Sequence, residues 1–170
     1  WQTVWLEAVP SSRIDRVRIV PDLDDFRFVI TPTLSGATRG QLFQVTLLDG
    51  GEEVASTRIS AISGTSASLD VPDPIPWDLE NPHLYDLRLE LLDGDQVIDR
   101  VSSYAGLRKF HTEGNKFYLN DAPIFLRFVL DQGFYADGIW TAPSDADLKA
   151  DIERSQAVGF NGARLHQKVF

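Results

Sequence analysis

Hydrophobic and polar residues alternate in short segments between Ser12 and Ala105, and turn residues separate these segments. The clearest turns are Asp49-Gly50-Gly51 and Asp93-Gly94-Asp95. About seven short strands over roughly 100 residues are typical of an immunoglobulin-like sandwich. Residues 12–106 are therefore predicted to form an immunoglobulin-like antiparallel β-sandwich. The positions on which this prediction rests are Val17, Ile19, Phe26, Phe28, Ile30, Phe43, Val45, Leu47, Thr57, Ile59, Ala61, Leu69, Val71, Tyr85, Leu87, Leu89 and Leu91. Pro21 is expected to stop the first strand.

The periodicity changes after Gly106. A hairpin is predicted around Asn120-Asp121, and the nearly continuous apolar run Ile124–Leu130 predicts a parallel strand that is buried on both faces. Because one strand–helix–strand unit cannot bury its own faces, the chain is expected to be part of a larger α/β enzyme. The whole chain is thus predicted to be mainly β, with the sandwich followed by a strand–helix–strand unit.

The helix of this unit is predicted to begin at Ser144, a good N-cap residue, with Asp147 completing a pair similar to a capping box. Leu148, Ile152 and Val158 are expected to form its apolar face. Gly159 fits the position just past the helix end. The second strand is expected within Phe160–Leu165.

Residues 1–8 resemble one further strand, with Trp1 and Trp5 on the same side. Residues 1–11 are assigned to the end of a preceding domain, and the alternative is an added strand at the sandwich edge. Residues 12–106 are then the sandwich, and residues 107–170 the beginning of an α/β domain. The absence of Met fits an internal segment of a longer protein.

Composition narrows the classes of function. The formal net charge is −9 and the sequence pI is near 4.7, which argues against nucleic acids and anionic membranes as partners. The absence of Cys excludes disulfides and thiolate chemistry. The composition is that of a soluble folded protein, and it does not distinguish a cytoplasmic from a secreted location.

Four segments, in this order, resemble glycoside hydrolase family 2, the β-galactosidases, β-glucuronidases and β-mannosidases. They are Trp1–Glu7, similar to the last strand of that family's jelly-roll domain; Pro76–Tyr85, similar to a motif of its immunoglobulin-like domain; Gly106–Phe110 with Tyr118–Arg127, similar to the start of its catalytic barrel; and Phe160–His166, similar to the second barrel strand. The resemblance implies that residues 107–170 hold the first strand–helix–strand of an incomplete (β/α)8 barrel. It also implies a retaining β-glycosidase that needs no organic cofactor. Its acid/base and nucleophile are expected after the fourth and seventh barrel strands, so no catalytic residue is assigned here and the isolated chain is expected to be inactive.

Arg164 is the leading candidate for the site, because active sites of barrels lie at the carboxyl ends of strands. The resemblance implies that it orients the nucleophilic Glu, the alternative being a structural salt bridge. The other candidates for sugar binding follow the two strands: Asp131, Gln132, Tyr135, Trp140, His166 and Gln167. Tyr135 and Trp140 are expected to form a wall against which a sugar stacks, or else to pack beneath their loop. Arg127 is expected to meet a structural carboxylate or, alternatively, the sugar. No metal site is expected.

Trp77, with Pro76 and Tyr85, is interpreted as a packing cluster rather than a carbohydrate platform. The expected partners are a carbohydrate substrate and the other domains of the same polypeptide. Two rival hypotheses remain, a carbohydrate-binding module and a structural spacer. Residues after about 115 are expected to be disordered or to self-associate while the sandwich stays folded.

Overall fold

The computed structural model describes residues 4–166, which are mainly β and divide into two compact units. The first unit comprises residues 4–110 and 119–121, and the second comprises residues 111–118 and 122–166. The strands of the first unit are β1 (Arg13–Asp22), β2 (Arg27–Ser35), β3 (Leu42–Asp49), β4 (Glu52–Ser60), β5 (Ala67–Asp70), β6 (Tyr85–Asp93) and β7 (Gln96–Ala105).

These seven strands form two antiparallel sheets around one hydrophobic core. One sheet has the order β1-β2-β5 and the other β4-β3-β6-β7. The predicted set of seven strands is confirmed. In a constant-type immunoglobulin domain the fourth strand lies in the sheet of the first strand, whereas here β4 pairs with β3.

The core is built from the inward positions of β2, β3 and β6, as their alternation predicts. Phe28 is fully buried and meets the Tyr85 ring edge to face, with 6.0 Å between ring centroids. The Tyr85 hydroxyl accepts a hydrogen bond from the backbone N–H of Ile75 at 2.8 Å. Tyr85 thus fixes the segment before β6, in the manner of a tyrosine corner.

Three predictions for this unit are wrong. Pro21 does not end β1, because β1 lies at a sheet edge and Pro21 pairs with Phe28 without having to donate to a further strand. Phe26 is 48% exposed rather than buried, because it lies in the β1–β2 turn with φ +48°. Residues 4–10 form no strand and are exposed, while the beginning of that predicted strand lies outside the described residues.

The β1–β2 hairpin is closed by an ion pair with a predicted dependence on pH. The Arg27 Nε and Nη2 atoms donate to Asp22 Oδ2 at 3.0 and 2.9 Å. These hydrogen bonds hold the pKa of Asp22 below its ordinary value of 3.8. The ion pair therefore stabilises the folded protein fully at a pH above the pKa of Asp22 in the unfolded chain. This stabilisation is lost as the pH falls through the lower pKa of Asp22 in the folded protein.

We expect Asp22→Asn to lower the urea midpoint at neutral pH and to make little difference at an acidic pH below the lowered pKa of Asp22, where the wild-type carboxylate also becomes protonated. Urea titrations of both proteins at the two pH values measure this. Asp95→Asn, at an exposed turn, is the control. A midpoint difference for Asp22→Asn that is the same at both pH values would contradict the role of the ion pair.

The remaining elements are β8 (Phe110–Glu113), β9 (Lys116–Leu119), β10 (Ala122–Ile124), β11 (Phe128–Asp131), α1 (Asp145–Ala157) and β12 (Gly162–Leu165). A three-stranded sheet has the order β10-β9-β8. Asn120 and Asp121 join β9 to β10 with φ values of +50° and +64°. Positive φ at both positions is what a type I′ turn requires, so the predicted hairpin is confirmed.

The predicted strand Ile124–Leu130 is wrong in extent and in burial. It is interrupted after β10, and β11 begins only at Phe128. The Asn161 side chain hydrogen-bonds the backbone in this break, donating to the Phe125 carbonyl and accepting from the Arg127 N–H, each at 2.8 Å. Among the described residues β11 pairs only with β12, and Phe125 is 77% exposed.

Helix α1 begins as predicted. Ser144 is its N-cap and accepts a hydrogen bond from the Asp147 N–H. The Asp147 carboxylate accepts from the Ser144 hydroxyl at 2.7 Å, which differs from the backbone contact of a capping box. Gly159 follows the helix end with φ +96°, as predicted. The expected apolar face is not buried, since no residue of α1 is buried.

Candidate functional site

The candidate site lies at the carboxyl ends of β11 and β12, which are parallel neighbours. In their register Leu130 lies opposite Arg164, and Asp131 lies opposite Leu165. Helix α1 connects the two strands, so the strand–helix–strand unit is confirmed. Parallel pairing places the residues that follow each strand at the same edge, which brings distant parts of the sequence together.

Two of the predicted residues meet at this edge. The Gln132 Nε2 and His166 Nδ1 atoms lie 3.2 Å apart, within hydrogen-bonding distance. The His166 backbone N–H donates to the Asp131 carbonyl oxygen at 2.9 Å, which extends the strand pairing by one residue. Gln132 and His166 therefore form a polar pair that projects from the ends of adjacent strands.

Arg164 is exposed and lies two residues before His166. Because side chains alternate along a strand, Arg164 points to the face opposite to that of Leu165 and Asp131. The same alternation places Leu130, opposite Arg164, on the Arg164 face. By the same alternation, Gln132 follows Leu130 and His166 follows Arg164 on this face of the strand pair.

Asp131 has a local structural role. Its Oδ1 atom accepts a hydrogen bond from the Gly133 N–H at 2.9 Å, and Gly133 has φ +56°. This side-chain contact turns the chain sharply out of β11. Asp131 is half-buried and lies on the opposite face of the strands from Arg164. The Asp131 carboxylate is thus used in its own turn, whereas Gln132 and His166 contact each other across the strand ends.

The loop after β11 holds the two aromatic candidates in different environments. Tyr135 is half-buried, and its hydroxyl donates to Asp151 Oδ2 on α1 at 3.1 Å. Burial raises the pKa of Tyr135, and the hydrogen bond and charge of Asp151 raise it further. Trp140 is 59% exposed. The Tyr135 hydroxyl is therefore directed to the helix, whereas the Trp140 ring is mostly exposed.

Among the described residues, Arg127 bonds a backbone carbonyl rather than the structural carboxylate expected of it. Its Nε atom donates to the Gly159 carbonyl oxygen at 2.8 Å, just past the end of α1. A cation is favourable at this end of a helix, where carbonyl groups lack partners. Arg127 therefore fastens the helix end to the segment before β11.

Two contributors to this region were missed by the sequence analysis. Asp151 anchors Tyr135, and Asn161 bonds the break before β11. The sequence places Asp151 four residues after Asp147, on the face of α1 that also carries Leu148, but this position does not indicate which residue Asp151 contacts. Gln167, the remaining candidate, lies outside the described residues.

The segment that contains Trp77 is packed within the first unit. The Arg108 guanidinium lies 4.9 Å from the centroid of the Trp77 ring, and Asn120 Nδ2 donates to the Trp77 carbonyl at 2.8 Å. A Cβ added to Gly106 would lie 3.0 Å from the Trp77 side chain. These contacts agree with the interpretation of Trp77 as part of a packing cluster.

The described residues contain neither a candidate metal site nor a candidate membrane-spanning helix. Within residues 4–166, no group of three or more His, Asp or Glu side chains has an arrangement that could hold a metal ion. No helix in the same part of the chain is long and apolar enough to cross a membrane.

Comparison with known proteins decides the family. The sequence profile described as glycosyl hydrolases family 2 matches residues 12–108, more than half of the chain. The chain belongs to glycosyl hydrolase family 2. The resemblance of the four sequence segments is thereby confirmed at the level of the family.

Family 2 relatives match almost the whole chain. A protein of Formosa agariphila that is provisionally named a β-glucuronidase is 28% identical over 170 residues, which are 95% of this chain and 20% of that protein. The β-galactosidase of Leuconostoc mesenteroides is 27% identical over 187 residues, covering 97% of this chain and 17% of that protein. The chain thus spans about a fifth or less of these relatives.

Solved structures of the family share the fold. The β-glucuronidase from Ruminococcus gnavus in complex with a C6-substituted uronic isofagomine gives a TM-score of 0.81 at 23% identity, over 96% of this chain and 27% of that one. A family 2 member from Bacteroides cellulosilyticus gives a TM-score of 0.83 at 22% identity, over 94% of this chain and 23% of that one. At this level of identity the likeness concerns the fold.

Proposed function

We propose that this chain is part of a retaining β-glycosidase, in which β11, α1 and β12 are the first strand–helix–strand of a (β/α)8 catalytic barrel. Membership of the family supports this, as does the likeness to solved family 2 structures over more than nine tenths of the chain. The observation that carries the proposal is the contact between Gln132 and His166 at the carboxyl edge of a parallel strand pair, on which Arg164 lies two residues before His166. Barrel enzymes bind their substrates at this edge.

Each of these residues has a role that suits its chemistry. Arg164 pairs with the nucleophilic Glu and keeps it ionised, because a guanidinium matches a carboxylate in charge and geometry. Gln132 and His166 offer donors and acceptors for sugar hydroxyl groups, and Gln167, the next residue in the sequence, is a further candidate. The exposed ring of Trp140 offers an apolar surface to the CH face of a sugar.

The catalytic carboxyl groups are supplied by residues outside the described part of the chain. None of Arg164, Gln132 and His166 is acidic. The neighbouring Asp131 is acidic, but its carboxylate is bonded to its own turn. A retaining mechanism needs two carboxyl groups about 5–5.5 Å apart. One attacks the anomeric carbon, while the other protonates the leaving oxygen and later activates the water that releases the sugar. The reaction needs no organic cofactor.

The domains divide accordingly. Residues 1–11 are the end of a preceding jelly-roll domain, residues 12–106 are the immunoglobulin-like sandwich, and residues 107–170 begin the barrel. The sandwich acts as a spacer, because its Trp77 segment is used for packing. The substrate is a β-linked glucuronide or galactoside, which the names of the relatives support.

Covalent trapping tests the proposal. A 2-deoxy-2-fluoro β-glycoside with a good leaving group forms the glycosyl-enzyme but slows its hydrolysis, so the labelled residue is identified by mass spectrometry of peptides. With the product of the whole reading frame, we expect the label on a Glu outside residues 4–166, and we expect the isolated 170-residue chain to remain unlabelled. A labelled carboxylate within residues 4–166 would contradict the proposal, as would the absence of label from a panel of glucosyl, galactosyl and glucuronyl reagents.

A further inference from the structure

The loop that follows β11 is closed upon itself by its backbone. The N–H of Tyr135 donates to the Ile139 carbonyl at 2.9 Å, and the N–H of Ile139 donates to the Tyr135 carbonyl at 3.0 Å. Ile139 has φ +57°, and a Cβ added to Gly138 would lie 1.9 Å from the Thr141 carbonyl oxygen. Residues 135–139 therefore form a tight turn that is closed by two backbone hydrogen bonds.

A side chain of this turn is bonded to helix α1. The Tyr135 hydroxyl donates to Asp151 Oδ2 at 3.1 Å, in the second turn of the helix. Asp151 is itself held, because its Oδ1 atom accepts from Arg154 Nη1 at 3.1 Å and its carbonyl accepts from the Ser155 hydroxyl at 2.8 Å. The acceptor for Tyr135 is thus fixed in place by the helix that bears it.

The charges around the hydroxyl keep it a donor. Asp131, Asp147 and Asp151 all act on Tyr135, and each favours the neutral phenol over the phenolate. A neutral phenol donates its proton to a carboxylate, and hydrogen bonds to charged acceptors are stronger than neutral ones. The Tyr135 hydroxyl thus keeps the proton that it donates to Asp151.

We infer that Tyr135 is a positioning residue, whose hydroxyl bond to Asp151 sets the loop 132–140 so that Gln132 and Trp140 face the sugar. This inference rests on the proposed function for the identity of the ligand. It assigns Tyr135 a task other than stacking on the sugar. Gln132 precedes and Trp140 follows the segment that Tyr135 anchors, so the hydroxyl bond acts on the positions of both residues.

Hydrogen exchange of the 170-residue chain tests the tie itself. Tyr135→Phe removes only the hydroxyl, and we expect amide exchange over residues 133–141 to accelerate about tenfold or more, with β11 and β12 much less affected. Asp151→Ala is expected to match it, whereas Asp151→Asn, which keeps an acceptor oxygen, restores most of the protection. Tyr104→Phe, at an exposed tyrosine of β7, is the control. Unchanged exchange in Tyr135→Phe would overturn the inference, and so would rapid exchange of this loop in the unmodified chain.

Kinetics of the whole enzyme test the positioning. With aryl β-glycosides, Tyr135→Phe is expected to raise KM several-fold and to change kcat less, because the loop contributes to binding rather than to the reacting carboxyl groups. Faster exchange with an unaltered KM would overturn the positioning role. If the unmodified enzyme hydrolyses no glycoside, the proposed function fails, and the exchange data still decide whether the tie exists.

Discussion

Phe28→Ala is expected to destabilise the first unit by about 3–5 kcal/mol, the range found for removing a fully buried aromatic side chain. Phe28 has no exposed surface, and its ring meets that of Tyr85 at the centre of the core. The loss is a large part of the roughly 5–15 kcal/mol by which a domain is stable. Urea denaturation followed by circular dichroism measures it.

Phe26→Ala is the matched control, because it removes the same atoms from a side chain of the same strand pattern two residues earlier. Phe26 lies in the turn and is half exposed, so we expect a change within about 0.5 kcal/mol. Equal losses for the two variants would contradict the placement of Phe26 outside the core. A loss below about 1 kcal/mol for Phe28→Ala would contradict its place at the centre of the core.

Arg164→Gln is expected to lower kcat/KM of the whole enzyme by about 100-fold or more, with most of the loss in kcat. Without the guanidinium the nucleophilic carboxylate loses its ion pair, so its pKa rises. The acid limb of the pH profile of kcat/KM should therefore move to higher pH. Steady-state kinetics with an aryl β-glycoside across the acidic range measure both effects.

Arg127→Gln is the control for loss of an Arg from the same strand–helix–strand unit. Arg127 bonds the Gly159 carbonyl at the end of α1, so its removal is expected to affect stability and to leave kcat/KM nearly unchanged. The same pH profile in Arg164→Gln and in the wild type would contradict contact with the nucleophile. An Arg127→Gln variant that loses activity as Arg164→Gln does would show that both losses come from misfolding.

Patterns with strong local causes were predictable from the sequence. Alternation in β2, β3 and β6 identified inward residues such as Phe43 and Leu89, because one buried face imposes a period of two. Ser144 and the Asn120-Asp121 turn were predictable, because cap and turn conformations select particular residue types.

Other features depend on contacts that are distant in sequence. Glu90 has an outward position in β6, yet it is 5% exposed. It is covered by Arg100, whose Nη2 atom lies 2.6 Å from Glu90 Oε1 across the strand pair. Phe26 continued the alternation of β2, and only its backbone conformation removed it from the core. Burial at these positions is decided by neighbouring strands and turns.

The proximity of two candidate residues was predictable, but the contacts within the loop beside them were not. The rule that substrates meet the carboxyl ends of barrel strands selected Gln132 and His166, whose side chains the structure brings together. No pattern indicated that Tyr135 bonds α1 or that Asp131 is used in its own turn. These roles depend on side-chain directions in an irregular loop, which periodicity does not describe.

Hydrolysis of aryl β-glycosides is the measurement that tests the central claim most directly, namely that this chain is a non-catalytic part of a family 2 glycosidase. The 170-residue chain and the product of the whole reading frame are assayed side by side with β-glucuronide, β-galactoside and β-mannoside substrates. We predict turnover of at least one substrate by the whole product and none by the chain. Turnover by the purified chain would contradict this account, and so would a whole product that hydrolyses none of them.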